Sequence, residues 1–585
     1  MLLHKRIVLA SLMLVVSLII GACAQPAAPA APAAESGSEA AETDAAETDS
    51  GEATDSGVVL IGATADRPWI NQCEGEPVAG GTLTLAWADL ALQGRTWLAR
   101  GGTTEFFVFS QLVGLSIEDA ETIVPDVATA WEISEDGLTY TFQLRDDVVW
   151  HDGEMLTAED VVWTFNLVSH PDSGATARTV LPMSAIAGYA EQAAGESDTL
   201  SGVVAVDDYT VAVTLTEPRA DFLYGMGGLN LFPAHPYEGM TVAEIAESSL
   251  VREDIVGSGP FKMVEYEPDQ YYILEAHEEY YKGRALLDRL IFRIGLTSVA
   301  SWFPGLETNE IQVGDMVNGL DRERAEGDEN LIVVGAPLPG AMSIWPNHNN
   351  FPDKRVLQAL VHAVDREAIT LGVFGEGQAL PYDYANIDPN NTWIAPDVAN
   401  FEYDPELAVQ LLEEAGWDFD QELNFITYYQ TELDRNVTAA MQQYWAEVGL
   451  NVNVEHMDAA TWGSRVYQEP DYDLAYGCCG ISVPFEYLRY SCANVPPAGL
   501  NASAYCNAEV DELASAAMVE ADEATRQEMW HTISRISIEE VLHMTMFQQD
   551  RRHAVNENVC NYQFRQWSNI TWPQRDTHTW WLANN

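Results

Sequence analysis

Few side chains in this sequence stand at the spacings that bond-making chemistry requires. His277-Glu278-Glu279-Tyr280-Tyr281 begins like a zinc-protease helix, but Tyr281 occupies the place of the second histidine ligand. Gly257-Ser258-Gly259-Pro260 lacks both the lysine of a phosphate loop and the G-x-G-x-x-G spacing. A strand pattern follows it, so it reads as a turn. No G-x-S-x-G nucleophile elbow occurs, and the 12 histidines show no paired metal spacing. No catalytic set, cofactor or metal is therefore expected. The chain does carry aromatic surface: 17 tryptophans and 23 tyrosines. Most serve packing, but aromatics at strand ends or in loops can line an apolar pocket. Trp87, Trp345, Tyr428, Tyr429, Trp462 and Tyr476 are the candidates of this kind.

Alternating strands and helices must position them. Leu138, Tyr140, Phe142 and Leu144 alternate with Thr139, Thr141, Gln143 and Arg145, the period-two pattern of a half-buried strand. Asp136-Gly137 and Asp152-Gly153 are turn signals on either side. Thr157 with Asp160 is a capping box, and Val161, Phe165 and Val168 then share one helical face. Residues 81–87 read as a first strand and 203–215 as a hairpin about Asp207-Asp208. Residues 257–292 read as strand, turn, strand, aromatic loop and strand. Asp353 and Asp365 start helices; Asp404-Pro405 starts another, which Gly416 closes. A strand at 423–429, a helix near 437–448 and a strand at 451–456 make a β-α-β unit with a right-handed crossover.

Charge and cysteines bound the setting. The formal charge is −62, with 90 acidic against 28 basic residues, which excludes phosphate-neutralising nucleic-acid binding. His4, Lys5 and Arg6 precede an apolar run at 7–20 and then Gly21-Ala22-Cys23, the pattern of a lipoprotein signal peptide. The run is about fourteen residues, short of the roughly twenty that span a bilayer. Residues 1–22 are thus expected to be removed and Cys23 to carry the lipid anchor. The acidic Ala/Pro/Ser-rich stretch at 23–76 reads as a tether, since it cannot bury enough surface to repay its ordering. Six cysteines follow: Cys73, Cys478, Cys479, Cys492, Cys506 and Cys560. An even count in an exported chain favours disulfides, with fifteen pairings possible. The central four lack the C-x-x-C pair of a zinc site.

The stretch PDVATAWEISEDGLTYTFQLRDDVVWHDGEMLTAEDVVWTF at 125–165 resembles the signature segment of family 5 extracytoplasmic solute-binding proteins, the receptors of peptide-type ABC importers. GSGPF at 257–261, EYYKGRALLDRLIF at 279–292, DKRVLQALVHAVDREAI at 353–369 and YDPELAVQLLEEAGW at 403–417 resemble further family motifs in the same order. The resemblance implies an α/β, two-lobed periplasmic-binding-protein-like fold of type II, with an extra subdomain and two crossing hinge segments. Lobe I would comprise 77–112, 202–334 and 546–585, the inserted subdomain 113–201 and lobe II 335–545. Crossings would lie near 333–345 and 544–552. The non-contiguous lobe suits a Cys73–Cys560 bond, leaving the central four cysteines to pair among themselves. Asn347 would emerge at a crossing into the cleft, and Glu486 would lie in a long cleft loop able to meet a cationic group. Many peptide binders of the family place an aspartate after the strand at 472–476; this chain has Ile481, Ser482 and Val483 there. A peptide is the first expected cargo and an oligosaccharide or other solute the second, with a secreted α/β hydrolase as the alternative from another class. ABC permease subunits are the expected partner, and a monomer anchored outside the cytoplasm the expected state.

Overall fold

Strands form where apolar and polar side chains alternate, and turn residues end them. In a computed structural model of the chain, the described residues run from 70 to 583. Excepted are 72, 87–104, 117–121, 174, 176–181, 269, 297, 315–318, 338–341, 377, 382–392, 479–490, 497–500, 521 and 564–575.

β1 (Thr82–Ala86) buries Leu83 and Leu85 completely. β2 (Ala128–Ile133) and β3 (Thr139–Leu144) flank a turn in which Gly137 adopts φ +71° and the Asp136 carboxylate accepts the Leu138 amide at 3.1 Å. α1 (Ala158–Ser169) starts at the expected capping box, the Thr157 amide donating to the Asp160 carboxylate at 2.9 Å. β4 (Val203–Asp207) and β5 (Thr210–Thr214) complete a four-stranded antiparallel sheet in the order β2-β3-β5-β4. The hairpin at 203–214 thus pairs with β3 of the segment that precedes it. The cause is cross-strand packing: Val211 and Val213 lie opposite Phe142 and Tyr140, and all four are buried.

The large sheet draws on β6 (Phe261–Glu267), β7 (Tyr271–Ala276), β8 (Arg289–Arg293), β9 (Val313–Gly314), β10 (Leu331–Pro337) and β11 (Met342–Pro346) in the first part of the chain. After α2 (Lys354–His362) come β12 (Ala379–Pro381), α3 (Pro405–Ala415), β13 (Glu422–Thr427), α4 (Glu432–Glu447) and β14 (Asn451–His456). Then follow α5 (Ala459–Tyr467), β15 (Leu474–Cys478), α6 (Ala508–Val519), α7 (Glu523–Glu539) and β16 (Met544–Asn556). With β1, these strands form a 12-stranded sheet in the order β14-β13-β15-β11-β16-β9-β1-β8-β7-β6, with β10 and β12 also on β16.

β16 belongs to both lobes. Its residues up to Gln549 pair with β11 and β12, and those from Asp550 pair with β10 and then β9. The change of pairing partners comes between Gln549 and Asp550. Each side keeps its own core. One holds Phe107, Phe142, Tyr272, Phe292 and Trp580; the other holds Leu357, Phe425, Trp445, Trp530 and Phe547.

Local signals place the second lobe's elements. Asp404 accepts the Leu407 amide at 2.9 Å, Pro405 opens α3, and Gly416 at φ +69° stops it. α4 starts at Glu432 on a Thr431–Asp434 capping box, earlier than its apolar period suggested, because its first turn is polar. β13 ends at Thr427, so Tyr428 and Tyr429 lie beyond it.

Covalent and ionic ties hold the first lobe. Cys73 is bonded to Cys560 across 487 residues, beside the pairing of Ile70 and Asn71 with Gln563 and Tyr562. Asp126, 8% exposed, accepts the Tyr281 hydroxyl at 2.5 Å and sits 2.7 Å from Lys282 Nζ. Both partners come from the aromatic loop between β7 and β8, so this buried pair ties that loop to the start of β2. Gly257 and Gly259 also prove to be close-contact glycines: a Cβ on either would stand within 2.6 Å of Val108 backbone atoms.

One buried and two half-buried histidines make the fold acid-sensitive. Burial pushes His151 down to about 3, and His348 and His578 down to about 4. Their folded values lie below the unfolded value of about 6.5. Below that value the unfolded chain takes up protons that the folded chain refuses. Stability present at neutral pH is therefore lost on acidification, by about 1.4 kcal/mol per pH unit for each group. His348→Gln is expected to flatten the pH dependence of unfolding free energy by about that slope between pH 6 and 4.5. Denaturant titrations at several pH values measure it, and an unchanged slope would contradict the assignment.

Candidate functional site

β13, β14 and β15 run parallel, so their carboxyl ends share one sheet edge. In open α/β sheets that edge is where ligands bind. Tyr428 and Tyr429 leave β13 there, and α5 leaves β14 there carrying Trp462, its start fixed by Asp458 accepting the Thr461 amide at 2.9 Å. Trp345 enters from β11, which runs antiparallel to β15. Its indole lies across Gly477, where a Cβ would stand 3.3 Å from the ring. A side chain there would press on the ring, which would have to shift by a few tenths of an ångström.

Five of the aromatic candidates form one continuous line of rings. Trp345 meets Trp462 at 5.6 Å between centroids, and Trp462 meets Tyr428 edge-on at 4.8 Å. Tyr428 stacks on Tyr429 at 4.4 Å, their hydroxyls 3.1 Å apart, and Tyr429 meets Tyr476 at 5.7 Å. The rings differ in exposure. Trp345 and Trp462 are 4% and 6% exposed, Tyr428 and Tyr429 are half-buried, and Tyr476 is fully buried against Phe425 of the lobe core. Burial raises the Tyr476 phenol well above its usual range. The Trp462 indole N–H and the Tyr476 hydroxyl have no hydrogen-bond partner among the described residues. Half-buried tyrosines backed by buried indoles suit stacking and hydrogen bonding to a ligand whose apolar and polar groups alternate.

Asn347 sits at the base of this cluster in a holding role. Its side-chain amide donates to the Tyr472 carbonyl at 3.3 Å, its side-chain oxygen accepts the Asn349 amide at 3.3 Å, and its own amide donates to Asp473 O at 2.9 Å. Trp87, Glu486, Cys23 and Cys479 lie outside the described residues, as does the side chain of Cys478.

Sequence reading missed several members. Tyr472 packs in the cluster with Ala502, and its hydroxyl donates to the Ala502 carbonyl. His543, just before β16, faces Trp345 at 6.1 Å; its position beside the predicted crossing was the available signal. The loop around Ala502 is pinned by the Cys492–Cys506 disulfide and by Asn501, whose amide donates to Ser491 O at 3.0 Å. Replacing both cysteines by serine is expected to cost about 3 kcal/mol of unfolding free energy, the value for a closed loop of this length. Equal denaturation midpoints for the variant and the parent would refute it. Among the described residues no group of three or more His, Cys, Asp or Glu could hold a metal, and no helix is long and apolar enough to cross a membrane.

Residues 122–487 match the model of the bacterial extracellular solute-binding proteins, family 5 Middle. The oligopeptide-binding protein AppA of Bacillus subtilis is 27% identical over 478 residues, covering 76% of this chain and 81% of that protein. Among solved structures, the ABC transporter substrate-binding protein CtaP of Listeria monocytogenes superposes with a TM-score of 0.73 at 24% identity, over 86% of this chain and 100% of that one. B. subtilis AppA in complex with a nonapeptide superposes with a TM-score of 0.72 at 23% identity, over 87% and 100%. Both likenesses confirm the two-lobed α/β fold.

Proposed function

The chain belongs to the bacterial extracellular solute-binding proteins of family 5, and from that membership we propose that it captures a peptide between its two lobes for an ABC importer. The observation that carries the reading is the line of five rings at the carboxyl edge of the second lobe's sheet, beside the strand that both lobes share. Tyr428 and Tyr429 offer ring faces to side chains and hydroxyls to peptide groups. The Trp462 N–H supplies one further donor. Bound peptide favours the closed arrangement to the extent that it touches both lobes, and bending at β16 permits the change. The peptide leaves unaltered. Permease subunits then receive it from the closed form, with lipidated Cys23 and the tether at 23–76 keeping a monomeric receptor at the membrane outside the cytoplasm.

Titration calorimetry and thermal shift with peptides of two to nine residues, alongside β-linked oligosaccharides, test this directly. A ligand that binds only the folded state raises its melting temperature, and peptides are expected to do so. Binding of oligosaccharides alone would overturn the cargo while keeping the receptor. Conversion of a ligand into product would overturn the receptor itself.

A further inference from the structure

Away from the shared strand, the main chains of the two lobes meet at the loop that follows β5. Ala220 of the first lobe donates its amide to the Met518 carbonyl of the second at 2.7 Å. The acceptor is one of the last carbonyls of α6, which has no intrahelical donor to use and carries no basic residue in its last turn. The donor is presented by a stiff loop. Pro218 packs near Gly137, Arg219 grips Asp221 through two bonds of 2.9 and 2.7 Å, and Tyr140 donates its hydroxyl to the Arg219 carbonyl at 3.2 Å. Arg219 lies between Asp221 and, at 3.9 Å, Glu217, so its charge is spent on stiffening the loop that presents the Ala220 amide.

We propose that the Pro218–Asp221 loop and the carboxyl end of α6 form a clasp that fastens the lobes when they close. The clasp rests on the lobe motion argued above. It adds a fixed, ligand-independent bias toward closure, so affinity depends on a contact that no ligand atom touches. Ala220→Pro deletes the donor amide and leaves the rest of the loop sequence intact. Losing one such bond is expected to raise the open-to-closed ratio about fivefold.

The test is a spin-label distance measurement across the lobes, using ketone-bearing amino acids at exposed Val264 and Phe419, with no ligand present. Expected are a larger long-distance population in Ala220→Pro and a smaller shift in the same direction in Arg219→Gln. The Arg219→Gln variant retains the amide and guards against a misfolded proline loop. Identical distance distributions in both variants and the parent would overturn the clasp. Because no ligand is added, that outcome is distinct from failure of the peptide reading, which the titrations decide.

Discussion

Trp462→Ala is expected to weaken peptide capture by about 30- to 1,000-fold, the range for removing a central aromatic anchor. Trp462 is the hinge of the ring line, touching Trp345 on one side and Tyr428 on the other. Its deletion removes a stacking surface, an indole donor and the support that orients Tyr428. It also opens a cavity, so unfolding free energy should fall by about 3–5 kcal/mol. The two effects separate by experiment. Trp462→Phe keeps most of the packing but lacks the N–H, so it should regain stability while affinity stays reduced. Calorimetric affinities and denaturant midpoints for both variants decide the matter. Parent-like affinity in Trp462→Ala would remove the ring line from the binding site.

Lys282→Met is expected to destabilise the first lobe by about 2–4 kcal/mol, below the full value for a buried pair because the lysine is partly solvated. Burial works against the Lys282 charge, but Asp126 together with Tyr280 and Asp576 outweighs it and favours the protonated ammonium. Losing that partner leaves a buried carboxylate with the Tyr281 hydroxyl and the Gln111 amide for support. The double variant Asp126→Asn with Lys282→Met should recover part of the loss, since the uncompensated charge is gone. A fully additive double-variant loss would show that the two residues do not act as a pair.

Much of this was legible in the sequence where the signal is local. Capping boxes and turn glycines fixed α1, α3 and the β2–β3 hairpin, because each requires only a few neighbouring residues in a set order. The resemblance of the motif at 125–165 supplied the fold. Pairing was harder to read. The hairpin at 203–214 has the right period for any antiparallel sheet, and only the valines opposite Tyr140 and Phe142 decide which sheet it joins. The site was legible as a list of aromatic residues but not as an arrangement. Trp345, Tyr428 and Trp462 are 117 residues apart at most, and what joins them is the register of β11 on β15 together with the room left by Gly477. Asn347 shows the converse: a residue placed well by topology, whose hydrogen bonds are spent on its own loop.

The strand shared by both lobes also governs when this polypeptide can finish folding. β10 must wait for a partner beginning at Met544, β9 and β11 each lack one neighbour until then, and Cys73 waits for Cys560. A nascent chain therefore leaves the ribosome with neither lobe's sheet complete until synthesis is nearly done. That delay suits a product that must be threaded across a membrane before it sets.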